Sequence, residues 1–228
     1  ACWRGWFLHC LLGCAMAFTC RDVVTGLQQI QLGDVDKTTW TEPVLRSAFN
    51  QALSLLLLVR PDAAAKKLIH VCVAGTEQVL PAGYSRLLKV VRNVTGASNT
   101  PGRAIRMVSM HDLDKADPNW HSTPATSTAY EYVFDEQNPT AFWLYPPVQA
   151  GTKVQIEASQ SPEPITNLSS DFPVDPVFAQ PVKELMLYLM LSDQQGNTNH
   201  YNLAMNMLDR KGLAEARVNP ANDGKAGS

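Results

Sequence analysis

The sequence has little of what a membrane protein or a general nucleic-acid-binding protein needs. Its apolar residues occur in short runs such as Leu55 to Val59, far below the roughly 20 residues that a membrane-spanning helix requires. Lys and Arg total 19 against 21 Asp and Glu, which gives a formal net charge of -2. No overall positive charge is therefore present to hold DNA along the protein surface. At 228 residues and 45% hydrophobic composition, the chain is a globular protein of one or two domains.

Cysteine is nearly absent from the body of the chain. Four of the five cysteines lie within the first 20 residues, and only Cys72 follows them. A disulfide-stabilised secreted fold would spread its cysteines along the chain, so we expect a reduced protein. His9, Cys10 and Cys14 have no second Cys/His pair at a usable distance, and structural zinc needs four ligands. We therefore predict no metal and no other cofactor.

Residues 1–15 look like a leader segment. Arg4 precedes an apolar stretch, and Leu11-Leu-Gly-Cys14 resembles a lipoprotein cleavage site. A secretory leader begins with Met and a clearly basic stretch, however, whereas the first methionine here is Met16. We expect residues 1–15 to be translated upstream or added residues outside the native fold. A lipid-anchored protein remains the alternative.

Two helices are predicted before residue 63. Val24 and Leu27 follow helical spacing within residues 21–32, and Gly33 is a typical C-terminal signal. The second helix has Thr41 as its N-cap and Pro43 in its first turn. It should end at Arg60, because the residue before a proline is disfavoured in helices. Its apolar stripe consists of Leu45, Phe49, Ala52, Leu56 and Val59.

The hydrophobic period then changes from helical spacing to alternation for about ninety residues. Clusters of Gly, Pro, Asn and Asp separate the alternating segments, which is typical of antiparallel β-structure. Lys153 to Ser159 alternates most clearly, with Val154 and Ile156 on its buried face. The predicted strands are residues 67–73, 86–94, 103–110, 130–134, 140–144 and 153–159.

Helical spacing returns near the C-terminus. Asp175-Pro176 supplies a cap and a first-turn proline for a third helix, within which Pro181 predicts a kink or restart. A fourth helix should begin at Asn197 or Thr198 and end at Gly212. Residues 213–228 contain too little apolar surface to order alone.

The element order predicts an α+β fold. Helices with a single apolar stripe are not stable alone, so residues 16–63 and 172–212 should form a four-helix bundle. Residues 64–171 would then be an inserted antiparallel β-sandwich or small barrel, and residues 213–228 a flexible C-terminal tail.

No motif for catalysis or metal binding stands out. His111 to His121 is the segment densest in potential ligands, but it lacks the glycine and glutamate of an EF-hand. Nucleophile elbows, P-loops, Rossmann glycines and zinc-protease motifs are also missing. We predict no catalytic residues, although a triad assembled by folding would leave no sequence motif.

Two clusters in the predicted β block could mark binding surfaces. Its aromatic residues would suit a sugar-binding platform, although core packing uses the same residue types. Its basic residues would suit a solvated sheet face or a charged subunit interface and, less readily, contacts to DNA phosphates. The aromatic cluster is Trp120, Tyr130, Tyr132, Phe142, Trp143 and Tyr145, and the basic cluster is Arg86, Lys89, Arg92, Arg103 and Arg106.

An ordered series of short motifs resembles the tail adaptor, or head–tail connector, proteins of short-tailed bacteriophages. Each motif alone is weak, but the ordered combination is fairly specific and spans about residues 17–211. The series includes Arg60-Pro-Asp-Ala, Gly75-Thr-Glu-Gln-Val-Leu-Pro81, Arg92-Asn93, Asp117-Pro-Asn-Trp120, Phe134-Asp-Glu-Gln-Asn-Pro139 and Phe142-Trp-Leu-Tyr-Pro-Pro147.

The resemblance implies a structural virion protein rather than an enzyme. Such adaptors are made in the host cytoplasm and form a homo-oligomeric ring, typically dodecameric, below the portal protein at the head–tail interface. The ring extends the channel through which DNA passes without sequence-specific binding, and it carries the tail nozzle and possibly tail fibre proteins. By the same resemblance, portal contacts map onto Arg210, Lys211, Arg217, Val218 and Pro220.

A different class of function stays open at this point. The leader and the aromatic cluster together would also fit a secreted or lipid-anchored carbohydrate-binding protein.

Overall fold

The protein consists of a helical half and a β half. The computed structural model describes residues 18–34, 36, 39–191 and 197–218. Helices α1 (Cys20–Gly26) and α2 (Glu42–Val59) precede the β half. A short helix, α3 (Met110–Ala116), lies within it, and α4 (Ala179–Met190) and α5 (Asn197–Val218) follow it. This arrangement confirms the α+β class.

The helical half has one hydrophobic core to which both ends of the chain contribute. Val23 of α1, Phe49 and Leu56 of α2, Leu185 of α4 and Leu208 of α5 are all buried in it. The stripe predicted for α2 therefore faces the core, except that Val59 is largely exposed. Because neither terminal part could bury its apolar face alone, the two parts stabilise each other.

The expected four-helix bundle is not what the helices show. The α1 helix has only seven residues and continues as a π-helical turn, Leu27–Gln31, so it is too short to be an equal member of a bundle. The prediction for α2 was accurate to within a residue at each end, but the Thr41 side chain makes no capping hydrogen bond. Asp175 does cap the 3-10 turn Pro176–Phe178, since its Oδ1 accepts from the backbone N of Val177 at 2.9 Å.

Pro181 does not interrupt the helix that contains it. The α4 helix begins at Ala179, so Pro181 lies in its first turn, where the backbone N–H has no intrahelical partner to lose. Of the kink or restart expected at Pro181, the structure shows no kink but a restart two residues earlier, where the 3-10 turn Pro176–Phe178 gives way to α4. The α5 helix continues six residues beyond Gly212, where the sequence placed its end, so residues 213–218 are helical rather than part of a structureless tail.

The β half is a sandwich of two four-stranded sheets. Its strands are β1 (Ala65–Val71), β2 (Gly75–Val79), β3 (Tyr84–Thr95), β4 (Thr100–Ala104), β5 (Arg106–Met107), β6 (Glu131–Phe134), β7 (Ala141–Val148) and β8 (Lys153–Gln160). The strand order is β1-β8-β3-β4 in the first sheet and β2-β7-β6-β5 in the second. Pairing is antiparallel except between β5 and β6. Val90, Phe142 and Ile156 are buried between the sheets. The described strands form no closed barrel. Of the two forms that the sequence predicted, the β half is therefore the sandwich.

Three elements of the β half differ from the sequence prediction. The β2 strand was missed because Gly75-Thr-Glu-Gln is polar, and its strand conformation depends on pairing with β7. The strand predicted for residues 103–110 is divided between β4 and β5, which belong to different sheets. Met110, which was predicted to end that strand, instead begins α3, a helix that the sequence did not predict.

The chain crosses between the two halves twice. A 3-10 turn, Pro61–Ala64, leads from α2 into β1. The return segment, residues 161–175, packs along the helices, where Asn50 exchanges two hydrogen bonds with the backbone of Ile165. Residues at the start of α1 also bond to it, since the backbone N of Arg21 donates to the carbonyl of Leu168 at 2.7 Å. The exact domain boundaries stay a prediction.

Candidate interaction surfaces

Arg60 holds the junction between the two halves. Its Nε and Nη2 donate to the two carboxylate oxygens of Asp62 at 2.8 and 2.6 Å. Its Nη1 donates to the carbonyl of Leu208 in α5 at 3.0 Å, and its guanidinium carbon lies 5.9 Å from the ring centroid of Phe178. One side chain thus connects the end of α2, the turn into β1, α5 and the residue before α4. The planar fork of Arg, unlike the Lys ammonium, can make these contacts at once.

Gln78 fastens the turn between β1 and β2. It is fully buried, and its side chain accepts from the backbone N of Val73 at 2.9 Å and donates to the carbonyl of the same residue at 3.0 Å. His70 lies nearby with its ring edge-on to Phe142. Burial lowers the pKa of His70, and a hydrogen bond with Gln78 partly opposes that shift. The Nε2 atom of His70 has no hydrogen-bond partner among the described residues.

Asn93 of β3 plays a similar part in the first sheet. Its buried side chain donates to the carbonyls of Arg103 and Ala129 at 3.0 and 2.7 Å, and it accepts from the backbone N of Ala129 at 2.9 Å. It thereby joins β3 to β4 and to the segment before β6. A hydrophobic residue of similar size would leave these buried backbone groups unpaired.

The ligand-dense segment around His111 is a cover over the second sheet. Trp120 is completely buried, its indole N–H donates to Asp114 at 2.8 Å, and its ring stacks on His121. His121 in turn lies 2.9 Å from the hydroxyl of Thr76. Trp120 packs with Leu113 and Val133 in a small third core. Within the described residues no three His, Cys, Asp or Glu side chains are grouped so that they could hold a metal ion.

The aromatic cluster is mostly part of the core. Of its six members only Tyr130 is exposed, and the Arg103 guanidinium covers that ring at 4.5 Å. A sugar-binding platform needs exposed ring faces, so the structure offers little support for one here.

The basic cluster does not form one patch. Arg86 and Arg106 are paired with Glu136 and Glu131 at 3.8 and 3.5 Å, and Arg106 belongs to the second sheet. Lys89 and Arg92 remain on the outer face of the first sheet. The cluster expected from the sequence is thus divided between two surfaces.

One cleft of about 480 Å³ opens where the two halves meet. Asp62, Lys66 and Asp175 line it together with Phe172 and Phe178. Both carboxylates already serve the fold, since Asp62 accepts from Arg60 and Asp175 from the backbone N of Val177. The cleft therefore resembles a gap between two packed units.

The predicted portal-contact residues lie on or beyond α5. The backbone of Arg210, Lys211, Arg217 and Val218 belongs to the C-terminal part of that helix, whereas Pro220 lies outside the described residues. Towards the start of the helix, Ala204 and Leu208 face the core, and the buried Glu184 of α4 lies 2.8 Å from Nδ1 of His200. The first half of α5 is thus fixed to the helical core.

The motifs that carried the resemblance supply these connecting residues. Arg60, Gln78, Asn93 and Trp120 all belong to the quoted series, and each joins separate segments. A family model described as SU10 adaptor protein matches residues 19–224. The chain belongs to this family. Membership confirms the resemblance to phage tail adaptors, so the protein is a phage adaptor and a virion component.

Two further findings concern the whole adaptor chain and its helices. No curated protein matches the adaptor chain. In the part of the adaptor that the structure describes, the helices are too short or too polar to cross a membrane. The connecting roles of Arg60, Gln78 and Asn93 could not be inferred from the sequence, because their partners are distant or are backbone atoms, but the motif series did mark their positions.

Proposed function

We propose that the adaptor forms a ring below the portal at the head–tail junction, where it extends the DNA channel and carries the tail nozzle and fibres. The observation that carries this proposal is the family match over residues 19–224. The adaptor acts mechanically, by binding protein partners on several sides, and it needs no catalytic residues. Two packed halves joined by Arg60 suit a part that must transmit force without separating.

Exposed apolar side chains supply contact area for neighbouring proteins. On the helical half, Leu58, Tyr201 and Leu203 are exposed large apolar residues, and Leu58 is 80% exposed. Exposed apolar groups of this kind are typical of surfaces that become covered on assembly. They support a ring in which the helices contact neighbours as well as their own core.

The C-terminal part of α5 is the segment we assign to the portal. The helix continues for ten residues beyond Leu208, which at 1.5 Å per residue is about 15 Å. Arg210, Lys211, Arg217, Val218 and Pro220 belong to this region or follow it. A terminal segment of this kind can fold along a partner and cover a large area for its length.

The test is to mix the full chain with the portal protein of the same genome and to image the product by electron microscopy. We expect a ring stacked beneath the portal. A variant that ends at Asp209 should form the same folded core, seen by circular dichroism, yet fail to dock. A variant that begins at Met16 is the matched control, and it should dock like the full chain.

A monomer beside bare portal particles would overturn the proposal. That result would favour the carbohydrate-binding alternative, which predicts retention of the full chain on an immobilised polysaccharide. Docking by the variant that ends at Asp209 would keep the ring but remove the role assigned to the C-terminal residues.

A further inference from the structure

The two outer surfaces of the sandwich carry opposite charge. On β8, Val154 and Ile156 are buried between the sheets, so Lys153, Gln155 and Glu157 lie on the outer face. Cross-strand partners share a face, which places Lys67 and Lys89 on either side of Glu157, and Arg92 beside Gln155. We call this surface the basic face: four positive residues, Lys67, Lys89, Arg92 and Lys153, against one negative residue, Glu157.

The charges of the basic face are only partly neutralised within the chain. Lys67 lies 3.5 Å from Glu157, but its side chain is 70% exposed. Lys153 donates to the carbonyl of Gly96 and to Asn99, neither of which carries charge. Lys89 is exposed. The same face carries Ile69 and the largely exposed Val71 at its edge strand, a mixture of apolar and charged groups typical of protein contacts.

The opposite surface of the sandwich is acidic. The second sheet is covered by α3 and by the turn that contains Trp120, so the outermost side chains there belong to that cover and to the sheet margins. Glu77 pairs with Trp143 and Glu131 with Tyr145, which places both carboxylates on this side. We call this surface the acidic face: Glu77, Asp112, Asp114, Asp117 and Glu131, against Arg106 and Lys115.

Some of these acidic residues also serve the fold. Asp114 accepts from the Trp120 indole, Asp117 accepts from the backbone N of Asn119, and Glu131 pairs with Arg106. Glu77 and Asp112 are exposed. Five acidic residues thus oppose two basic ones.

The geometry points to a second copy of this chain as the occupant of the basic face, which would contact the neighbour's acidic face. The two faces are the two outer sides of one sandwich, so a chain of subunits joined in this way continues in one direction. Such a head-to-tail contact builds a ring when the rotation between neighbouring subunits closes, whereas a two-fold contact between copies of the same face would place like charges together. The inference rests on the proposed ring and names the surfaces that would form it.

A nucleic acid is a weaker candidate for the basic face. The face offers four cations interrupted by Glu157 and bordered by apolar side chains, and the whole chain has a net charge of -2. A DNA site would draw its affinity from many phosphate contacts. Binding of DNA is therefore treated as a contrary outcome of the test.

The test uses charge reversal in the full chain, with the portal present and assembly followed by sedimentation and electron microscopy. The first variant carries Lys67→Glu and Lys89→Glu, and the second carries Glu77→Lys and Asp112→Lys. Each variant alone adds like-charge repulsion to every contact, so ring formation should require roughly tenfold or more protein. The four changes combined in one chain restore opposite charge, and rings should return.

Two controls accompany these variants. Asp36→Lys with Glu163→Lys changes two exposed acidic residues outside both faces, and it should assemble like the parent chain. The second control, Lys67→Gln with Lys89→Gln, removes both positive charges but places no new negative charge beside Glu157. It therefore tests the basic face even if the charge-reversed variant unfolds. It should weaken assembly by less than the reversal does, and melting curves verify that each variant folds.

The outcomes separate this inference from the proposed function. If the parent chain forms no ring with the portal, the proposed function fails. If the parent, both reversed variants and the neutral variant all form rings equally well, the charged faces are not the contact although the ring stands. If reversal of Lys67 and Lys89 leaves rings intact but removes retention of a short DNA duplex, the basic face serves nucleic acid and the inference is overturned.

Discussion

The adaptor depends on single polar side chains to join segments that are distant in sequence. Arg60 is the clearest case, because its guanidinium binds Asp62, the carbonyl of Leu208 and the ring of Phe178. Its side chain is only 14% exposed, so these contacts are poorly screened by water. Charge-assisted hydrogen bonds of this kind are the strong ones.

Arg60→Lys should lower the free energy of unfolding by about 1–3 kcal/mol, because a Lys ammonium cannot bind Asp62 through two nitrogens and reach Leu208 as well. Urea unfolding followed by circular dichroism measures the change. Lys115→Arg, a like exchange at an exposed position, is the control and should stay within about 0.5 kcal/mol of the parent. Equal stability of the two variants would contradict the role of Arg60.

His70 should make the stability depend on mild acid. Its pKa lies below the ordinary value of 6.5, chiefly because of burial, so the folded state binds the proton less readily than the unfolded state does. The neutral ring stabilises the fold above pH 6.5, and this contribution is lost as the pH falls below that value. In His70→Leu, the melting temperature should therefore fall less steeply as the pH is lowered below 7. His111→Gln, at an exposed histidine, should leave the slope unchanged.

The two described cysteines should be inert in the folded protein. Burial raises the pKa of Cys20 to about 11 and that of Cys72 to about 12, from an ordinary value of 9.0. In a chain with Cys2, Cys10 and Cys14 replaced by Ser, a thiol reagent at pH 8 should react only after urea is added. Because both folded values are raised, the contribution of the neutral thiols to stability is full below pH 9 and is lost towards pH 11–12. Rapid labelling of the native chain would contradict this account.

At the scale of elements, α3 and Trp120 form a unit that covers the second sheet. Trp120→Ala should detach this cover, since large aromatic deletions in cores cost about 3–5 kcal/mol. We expect faster hydrogen exchange and proteolysis within residues 108–126, before any loss of the helical core. Leu113→Ala should have the same effect more weakly, and uniform destabilisation of both halves would show that the cover is not a separate unit.

Sequence reasoning succeeded for elements that carry their own signals. Pro43, the apolar stripe and Pro61 define α2 completely, and the alternation of Lys153 to Ser159 defines β8. It failed where the signal lies in a partner. Gly75 to Val79 becomes a strand only because β7 pairs with it, and Met110 to Ala116 becomes a helix only because Leu113 has Trp120 and Val133 to pack against.

The contrast between local signals and signals that lie in a partner segment also explains which site residues the sequence predicted. The ordered motifs predicted the family, and the structure shows that several of those motifs contain connecting residues such as Gln78 and Asn93. Four of the five predicted portal-contact residues lie on α5, and their contact with the portal stays a prediction. The grouping of basic residues was wrong because β4 and β5 enter different sheets at Ile105, which no local pattern indicates.

At the scale of the whole molecule, the proposed contact between the basic face and the acidic face should make assembly sensitive to salt. The Debye length falls from about 10 Å at 0.1 M to about 3 Å at 1 M, so steering between the basic and acidic faces should weaken across that range. We expect slower ring formation at high salt in light-scattering measurements, with the quadruple reversal showing the same dependence as the parent chain. Assembly that accelerates with salt would indicate a contact governed by apolar area alone.

The place where the sandwich begins and ends has a consequence for how such a protein can change. Ala65, the first residue of β1, pairs directly with Ser159 near the end of β8, so the chain leaves and re-enters the helical half at neighbouring points, a few ångströms apart. For the helical half, the whole insertion therefore replaces a connection as short as a loop. A replacement unit would need only two ends the same short distance apart, so a phage lineage could exchange the sandwich by two crossovers, one at each end of its coding segment, while the helical half keeps its fold.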